Sequence, residues 1–490
     1  MKKLLPLFPI VLLAGTLTAQ TYTQTTMVTG LQYPVAFDMA SDGRFFVTQK
    51  GDGSIPAASG TATIRVYDAA GTFLSTFYDL SDSVNSDFER GLLGITLDPN
   101  YATNQYVYVY YNHIYNSDER IRIVRFTDVS NVGTNPTIIF DLDVSNSIAG
   151  NHVGGNLHFR PTDPTHIYFT IGDLAYQQGN PTLNYANKLT NPYGKVLRIS
   201  STPLAAPPTD NPYYDDGNPL ASNCDWIWSY GHRNPFDFCF SPVSDSMYVA
   251  ENGWNSWDEM NMIHKGAFYG WANCEGFYNN SSTSTMCTTP DVDPIEDWGT
   301  PLPAVTGIVF YSSTVMPEFD NHVLVADNDY GRVYDITLGN APVYDQFVSR
   351  TQWMDMTTTG GLTTLKQGPD GCIYAMKGGY TTNGQIYRVC PQGMGTPEFA
   401  NSNFYMRQNS PNPFSTTTTI TYKMNTAANA TITLFDIFGR EVAILADGMQ
   451  SPGEHVLTID AVQLALAPGM YFCTMQSGEQ SQSVNIVVSE

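Results

Sequence analysis

At 490 residues the chain is long enough for one large core and a second, smaller domain, and its 23 basic against 46 acidic residues give a formal net charge of -23. That charge repels phosphate backbones and anionic lipid, which argues against nucleic-acid and membrane-surface partners, while it supplies carboxylates for Ca2+. Abundant Tyr (30), Phe (25) and Gly (40), with few stretches free of Gly and Pro, exclude a helix bundle and point to an all-β chain.

Residues 1–19 read as a signal peptide. Met1-Lys2-Lys3 is followed by an apolar run from Leu4 to Leu17 and by Thr18-Ala19-Gln20, with cleavage expected after Ala19. The run is shorter than the roughly 20 residues of a membrane span, and no later segment reaches that length, so no transmembrane segment is expected and the mature protein is expected to be secreted and soluble. The seven cysteines of an exported chain are disulfide candidates. Short-range pairing would join Cys224 to Cys239, Cys274 to Cys287 and Cys372 to Cys390 and leave Cys473 over, although spacing alone leaves the connectivity open.

From residue 21 to 390 one pattern recurs: an apolar run, a turn with Pro, Asp, Ser or Gly, and a β-rich return. The runs begin at Pro34, Gly91, Gly155, Pro235, Gly307 and Leu362, and the returns begin at Phe45, Tyr106, Ile167, Met247, Val323 and Ile373. Each is a hairpin with room for two more strands, so the expected fold is a six-bladed β-propeller of four-stranded blades. Long insertions over 176–192, 203–223 and 276–298 are expected on one face, where they would build the site. A linker over 391–402 leads to a second domain over 403–490, whose alternating runs 418–422, 430–435, 456–459, 470–475 and 483–488 suggest a small immunoglobulin-like β-sandwich.

In a propeller the residues before the first strands and after the returns converge on one mouth. They are Glu89 and Arg90, Asn151 and His152, His232, Arg233 and Asn234, then Asp173, Glu251-Asn252-Gly253, Asp327-Asn328-Asp329 and Lys377-Gly378-Gly379. A histidine, an arginine and several carboxylates around one mouth suit redox or hydrolytic chemistry, and Asp258-Glu259 adds hard oxygen ligands for Ca2+.

Several of these stretches resemble the glucose/sorbosone dehydrogenase family of soluble sugar dehydrogenases. They are Glu89 to Ile95, Asn151 to Leu157, Ile171-Gly172-Asp173, Asn191 to Ile199, Tyr230 to Pro235, Glu251 to Asn261 and Phe268 to Trp271. The resemblance implies an oxidoreductase that uses pyrroloquinoline quinone (PQQ) and Ca2+, takes a sugar substrate to a lactone and passes electrons to an external acceptor. It implies catalysis by His152, as general base, and Arg233. Contacts to the cofactor would come from Arg233, Asn234, Asn151 and Lys377. Ca2+ would be held by the carbonyls of Gly253 and Trp254, and a second, structural ion by Asp258, Glu259 and the Tyr269 backbone. The tail resembles the C-terminal sorting domain of the type IX secretion system, through Asn409 to Phe414, Leu434 to Val442, Pro452 to His455 and Pro468 to Phe472, which implies the secretion machinery as a partner.

The chain also departs from the family. Where glucose dehydrogenases of the family carry a lysine after the fifth return and two arginines before the sixth run, it reads Asp327-Asn328-Asp329 and Thr358-Thr359-Gly360-Gly361. Asp327 and Asp329 are expected to oppose an anionic cofactor, with Lys366, Lys377 or Arg332 as compensating cations. A binding propeller without catalysis and a Ca2+-dependent lactonase are the alternative readings.

Overall fold

The computed structural model describes residues 20–144, 150–174, 185–279, 285–394, 404–406, 409, 411–424, 426–436, 439–478 and 480–489. These form two compact units, the second built mainly from residues beyond 395. The fold is all-β. In the first unit, six four-stranded antiparallel sheets follow one another along the chain.

Sheet one comprises Pro34–Met39, Phe45–Gln49, Thr63–Tyr67 and Phe73–Asp79, and sheet two Leu92–Leu97, Tyr106–Tyr115, Asp118–Val129 and Val132–Asp143. Sheet three comprises Leu157–Arg160, Asp163–Ile171, Lys195–Ser200 and Ile227–Tyr230, and sheet four Asn234–Phe240, Met247–Asn252, Trp257–Ile263 and Glu296–Gly299. Sheet five comprises Val305–Tyr311, His322–Asp327, Arg332–Gly339 and Gln346–Asp355. Sheet six takes three strands from the end of the unit, Leu362–Gln367, Ile373–Lys377 and Gly384–Pro391, and its fourth from the beginning, Tyr22–Leu31, which pairs Tyr22 with Pro391 and Thr26 with Tyr387.

The turn between the first two strands uses one device repeatedly. A side-chain oxygen accepts the backbone N–H two residues on, from Asp42 to Arg44 (3.1 Å), Asp98 to Asn100 (2.8 Å), Ser241 to Val243 (3.1 Å), Ser313 to Val315 (3.2 Å) and Asp370 to Cys372 (3.2 Å). This is the physical content of the shared turn chemistry in the sequence. The strands behind the turns are apolar without alternation because both faces are covered: every residue of Phe45–Gln49 and of Val305–Tyr311 is buried. Each fully buried Val, Leu or Phe there contributes about 1.5–3 kcal/mol.

Neighbouring sheets meet through their inner strands. Leu157–Arg160 packs against the first strands of sheets two and four, and the first strand of sheet five against those of sheets four and six. Threonine hydroxyls stitch three of the junctions. Thr48 Oγ1 donates to the Leu93 carbonyl (2.6 Å), Thr306 Oγ1 to that of Leu362 (2.7 Å) and Thr364 Oγ1 to that of Val35 (2.8 Å), so sheet six returns to sheet one.

The second unit has a three-stranded sheet, Phe404–Met406, Thr417–Met424 and Gly453–Asp460. Its four-stranded sheet comprises Glu441–Gln450, Ala428–Asp436, Gly469–Ser477 and Gln480–Val488 in spatial order. One apolar cluster, including Ile420, Tyr422, Ile432, Leu434, Ile459 and Ile486, draws on both sheets. The strand Glu441–Gln450 is absent from the sequence expectation because, as an edge strand, it is largely exposed or half-buried along its length and carries little apolar alternation.

Two expectations are corrected. Cys274–Cys287 and Cys372–Cys390 form disulfides, but Cys224 and Cys239 are free thiols. Cys224 belongs to the core beneath sheet three, whereas Cys239 packs against the core between sheets four and five, so their side chains point into different interiors. The insertion 203–223 joins the outer two strands of sheet three and contributes no residue to the large cavity described below. Part of the insertion 176–192 lies outside the described residues.

Candidate active site

A cavity of about 660 Å³ is lined from five of the six sheets, through Ala36, Leu93, Asn234, Thr306 and Thr364 among others, and from the loop Val153 to Asn156 that leads into sheet three. Its charged lining is Lys50, Glu89, Asp329 and Lys377, with Asn252 and Asn328 adding amides. His152 and Arg233 stand directly beside the lining residues Val153 and Asn234.

His152 is buried and its backbone is left-handed, with φ of 56°, a conformation sparsely used by residues other than glycine. The Glu89 carboxylate accepts its N–H at 2.6 Å and fixes that turn. Its ring Nδ1 lies 2.6 Å from Oδ1 of the fully buried Asp173, whose other oxygen accepts the indole N–H of Trp271 at 2.7 Å. A carboxylate facing Nδ1 holds the proton there and leaves Nε2 as the basic nitrogen. Gly172 is required between them, because a Cβ at that position would collide with the His152 and Arg233 carbonyls.

Arg233 is held by a second carboxylate. Glu251 accepts its N–H at 2.5 Å, and Nη1 donates to the Asn252 carbonyl at 3.0 Å. The guanidinium lies over the Trp271 ring, 5.6 Å from its centre, so Trp271 touches both the histidine's carboxylate and the arginine. Burial depresses the Arg233 pKa against the pull of Asp173, Glu275 and Asp258, and its Nε is a buried donor without a partner. His232 is fully committed: Nδ1 to Glu251 at 2.8 Å, Nε2 to Ser229 at 2.9 Å, and its ring stacked on Tyr269.

A cluster of buried carboxylates lies on and beside sheet four. One oxygen of Glu275 accepts the backbone N–H groups of Trp254 (2.5 Å), Asn255 (2.8 Å), Ser256 (3.1 Å) and Trp257 (3.3 Å), while its other oxygen is buried without a partner. Glu259 accepts from Gly276 N–H at 2.6 Å and from Asn261 Nδ2 at 3.0 Å. Burial, then the charges of Glu251 and Glu275, hold its carboxyl well above the usual range. The Asn261 amide also reaches Glu251 at 3.3 Å, and its own oxygen is a second buried acceptor without a partner.

The expected cation set is therefore divided. Successive strand residues face opposite sides, so Asp258 turns away from Glu259: Asp258 accepts from Gly253 N–H (2.9 Å) and Val305 N–H (3.3 Å), and burial raises its carboxyl to about 6. The Tyr269 hydroxyl is spent on the Met262 carbonyl at 2.6 Å and the His264 N–H at 2.8 Å. Among the described residues, acidic and sulfur ligands gather at Asp370–Cys372–Cys390 and Asp215–Asp216–Asp225. The first has its sulfurs in a disulfide, and the second has Asp225 occupied by the Asp215 and Gly217 N–H groups.

Other site expectations also sort out. Asn234 lines the cavity and donates to Asn252 at 3.3 Å, and Lys377 lines it with its ammonium on the Thr359 hydroxyl at 2.6 Å. Asn151 is half-buried and outside the lining. Asp327 does not oppose a ligand, for its oxygens are spent on Tyr330, Gly331 and Arg332 N–H groups and on the Tyr334 hydroxyl. Lys366 approaches His158 at 3.5 Å and Arg332 pairs with Asp355 at 3.6 Å, both outside the lining. Sequence reasoning gave no role to Trp271, Glu275 or Lys50. Asp173 was placed at the mouth only by its position after a return.

Six successive four-stranded sheets, with a histidine–carboxylate pair and an arginine beside one cavity, suit an all-β oxidoreductase. The chain belongs to the glucose/sorbosone dehydrogenase family, which matches residues 31–388, and carries a secretion system C-terminal sorting domain over residues 410–489, which directs it to secretion or the cell surface. It is 25% identical over 322 residues to the aldose sugar dehydrogenase YliI of Escherichia coli, covering 62% of this chain and 78% of that protein. It is 29% identical over 283 residues to quinoprotein glucose dehydrogenase B of Acinetobacter calcoaceticus, covering 54% and 55%. The soluble aldose sugar dehydrogenase of E. coli in its apo-form superposes with a TM-score of 0.63 at 21% identity, covering 76% of this chain and 100% of that one. The PQQ-bound aldose sugar dehydrogenase of Streptomyces coelicolor gives 0.53 at 22% identity, covering 76% and 99%. These structures share the fold. No helix among the described residues is long and apolar enough to cross a membrane.

Proposed function

We propose that residues 21–390 form a six-bladed propeller that acts as an exported, PQQ- and Ca2+-dependent aldose dehydrogenase, oxidising the C1 hydroxyl to a lactone for an external acceptor. Residues 391–402 would be the linker, and 403–490 an immunoglobulin-like sandwich read by the type IX secretion machinery. The observation that carries the catalytic reading is the chain Trp271–Asp173–His152 beside that cavity.

The quinone, when bound, accepts the hydride released from C1. The protein's part is to manage the proton and the charges. His152 Nε2 takes the hydroxyl proton, Asp173 stabilises the imidazolium that results, and Trp271 keeps Asp173 oriented. Arg233 sets a buried positive charge beside the cavity, where negative charge develops. The residues fit both absent groups: Arg233 Nε is a donor without a partner for an anion, and Glu275 and Asn261 are acceptors without one for a cation. Glu259 and Glu275 would hold a structural Ca2+, with the Tyr269 carbonyl completing the set, and the carbonyls of Gly253 and Trp254 would hold the ion nearer the cofactor.

The test is dye reduction by purified protein supplied with PQQ, Ca2+ and a panel of aldoses. Turnover that requires both additions and disappears in His152→Ala, with the circular dichroism spectrum retained, is the expected result. Lactone hydrolysis without quinone would replace this reading with a hydrolytic one.

A further inference from the structure

Lys50 follows the second strand of sheet one and is 4% exposed, yet it lines the cavity. Lysine is almost never buried unless it is paired. Here the ammonium donates to two carbonyls, Ser86 at 2.7 Å and Arg90 at 3.1 Å, and makes no ion pair among the described residues. An ammonium has three N–H groups, so one remains unspent. The Tyr380 ring, itself in the cavity wall, covers the ammonium at 5.3 Å.

Lys195 supplies an internal control. It is equally buried, but its three N–H groups meet three carbonyls, Tyr185 (3.1 Å), Ala186 (2.8 Å) and Tyr193 (2.6 Å), and it lines no part of the cavity. A lysine that only ties loops together looks like Lys195. Lys50 has the same desolvated charge with one donor held back at a cavity wall, which is the arrangement of a residue waiting for an anionic oxygen. Lys377, from sheet six, adds a second cation to the same lining, and Glu89 and Asp329 are the two acids that oppose them.

We infer that Lys50 is an anion-binding residue of the cavity that receives a carboxylate of the ligand, and that Lys50 with Lys377 takes the place of the cations missing from sheets five and six. The inference rests on the quinone reading. It accounts for a cavity able to hold a tricarboxylate despite Asp329.

The experiment is isothermal titration of the full secreted chain with PQQ in excess Ca2+, for the parent protein and for Lys50→Gln, which keeps two donors for Ser86 and Arg90 but drops the charge. Binding weakened at least tenfold is expected. The trimethyl ester of PQQ is titrated in parallel and should bind parent and variant alike. A parent that binds PQQ and a Lys50→Gln protein that binds it equally would overturn the role of Lys50 and leave the quinone reading standing; a parent that does not bind at all would overturn both. If Lys50→Gln is not recovered folded, the ester on the parent protein decides: an affinity equal to that for PQQ removes the need for any carboxylate receptor, and a loss beyond that shown by Lys377→Gln for PQQ supports Lys50.

Discussion

Two groups of charge in the first unit are held in opposite ways. Beside sheet four, Glu251, Glu259 and Glu275 share a small volume with one asparagine, and two of the acceptor atoms there are left over. On sheets one and six, Lys50 and Lys377 stand in the lining with hydroxyl and carbonyl partners alone. The carboxylate cluster and the Lys50 ammonium each cost stability on their own, because buried charge without a counter-ion is unfavourable. Both become favourable together if a metal ion sits on the first and an anionic ligand on the second.

Substitutions can break that comparison, beginning with the chemistry at His152. His152→Ala should lower aldose turnover by about 100- to 10,000-fold, the range for loss of a general base, with little change in PQQ affinity by titration. Asp173→Asn should lower kcat by roughly 100-fold or more, because an amide oriented by Trp271 no longer secures the Nδ1–H tautomer; the pH profile of kcat should move with it, which a merely structural residue would not cause. On the acidic side, Glu275→Gln keeps an oxygen for the four backbone N–H groups but removes the charge. Its Tm should respond to Ca2+ far less than that of the parent, a difference read by melting in chelator and in millimolar Ca2+.

The lysine side gives smaller, pH-dependent effects. Burial lowers the Lys50 pKa from 10.5 to about 8, against the charges of Asp87, Glu89 and Asp52, with Tyr380 packed over it. The cationic form dominates below that value, so PQQ affinity should hold near neutrality and decline as pH rises through about 8. The ligand-free native chain binds fewer protons than the unfolded chain between about 8 and 10.5, so its own stability should rise over that window as the affinity falls. Lys195→Met should leave PQQ affinity unchanged while costing about 1–3 kcal/mol of stability from three abandoned carbonyls, measured by denaturant unfolding.

Much of the scaffold was legible from the sequence because its signals are local. The six hairpins could be placed by their apolar runs and by turn residues such as Asp42, Asp98, Ser241 and Asp370, which act within two residues of themselves. The position of His152 and Arg233 beside the cavity was legible where a family motif carried it. The site was not legible where residues distant in sequence meet. Glu275 follows a disulfide cysteine inside an insertion, and nothing near it announces that one oxygen gathers four N–H groups from 254–257. Asp258 and Glu259 look like a ligand pair as text, but strand alternation sends them to different neighbours. Asp327 likewise looked like a repulsive charge until its turn was seen to consume it.

The sixth sheet has a consequence for how the molecule comes into being. Its strand Tyr22–Leu31 pairs with Gly384–Pro391, so completing this sheet joins the two ends of a unit of several hundred residues. Contacts so remote in sequence form slowly, and until they do sheet six has an open edge able to recruit a strand from another chain. Until residues 22–31 pair there, aggregation through that edge competes with completion of the sheet. The Cys372–Cys390 disulfide, which ties Cys390 of that last strand to the start of the neighbouring one, holds the receiving edge in shape for their arrival.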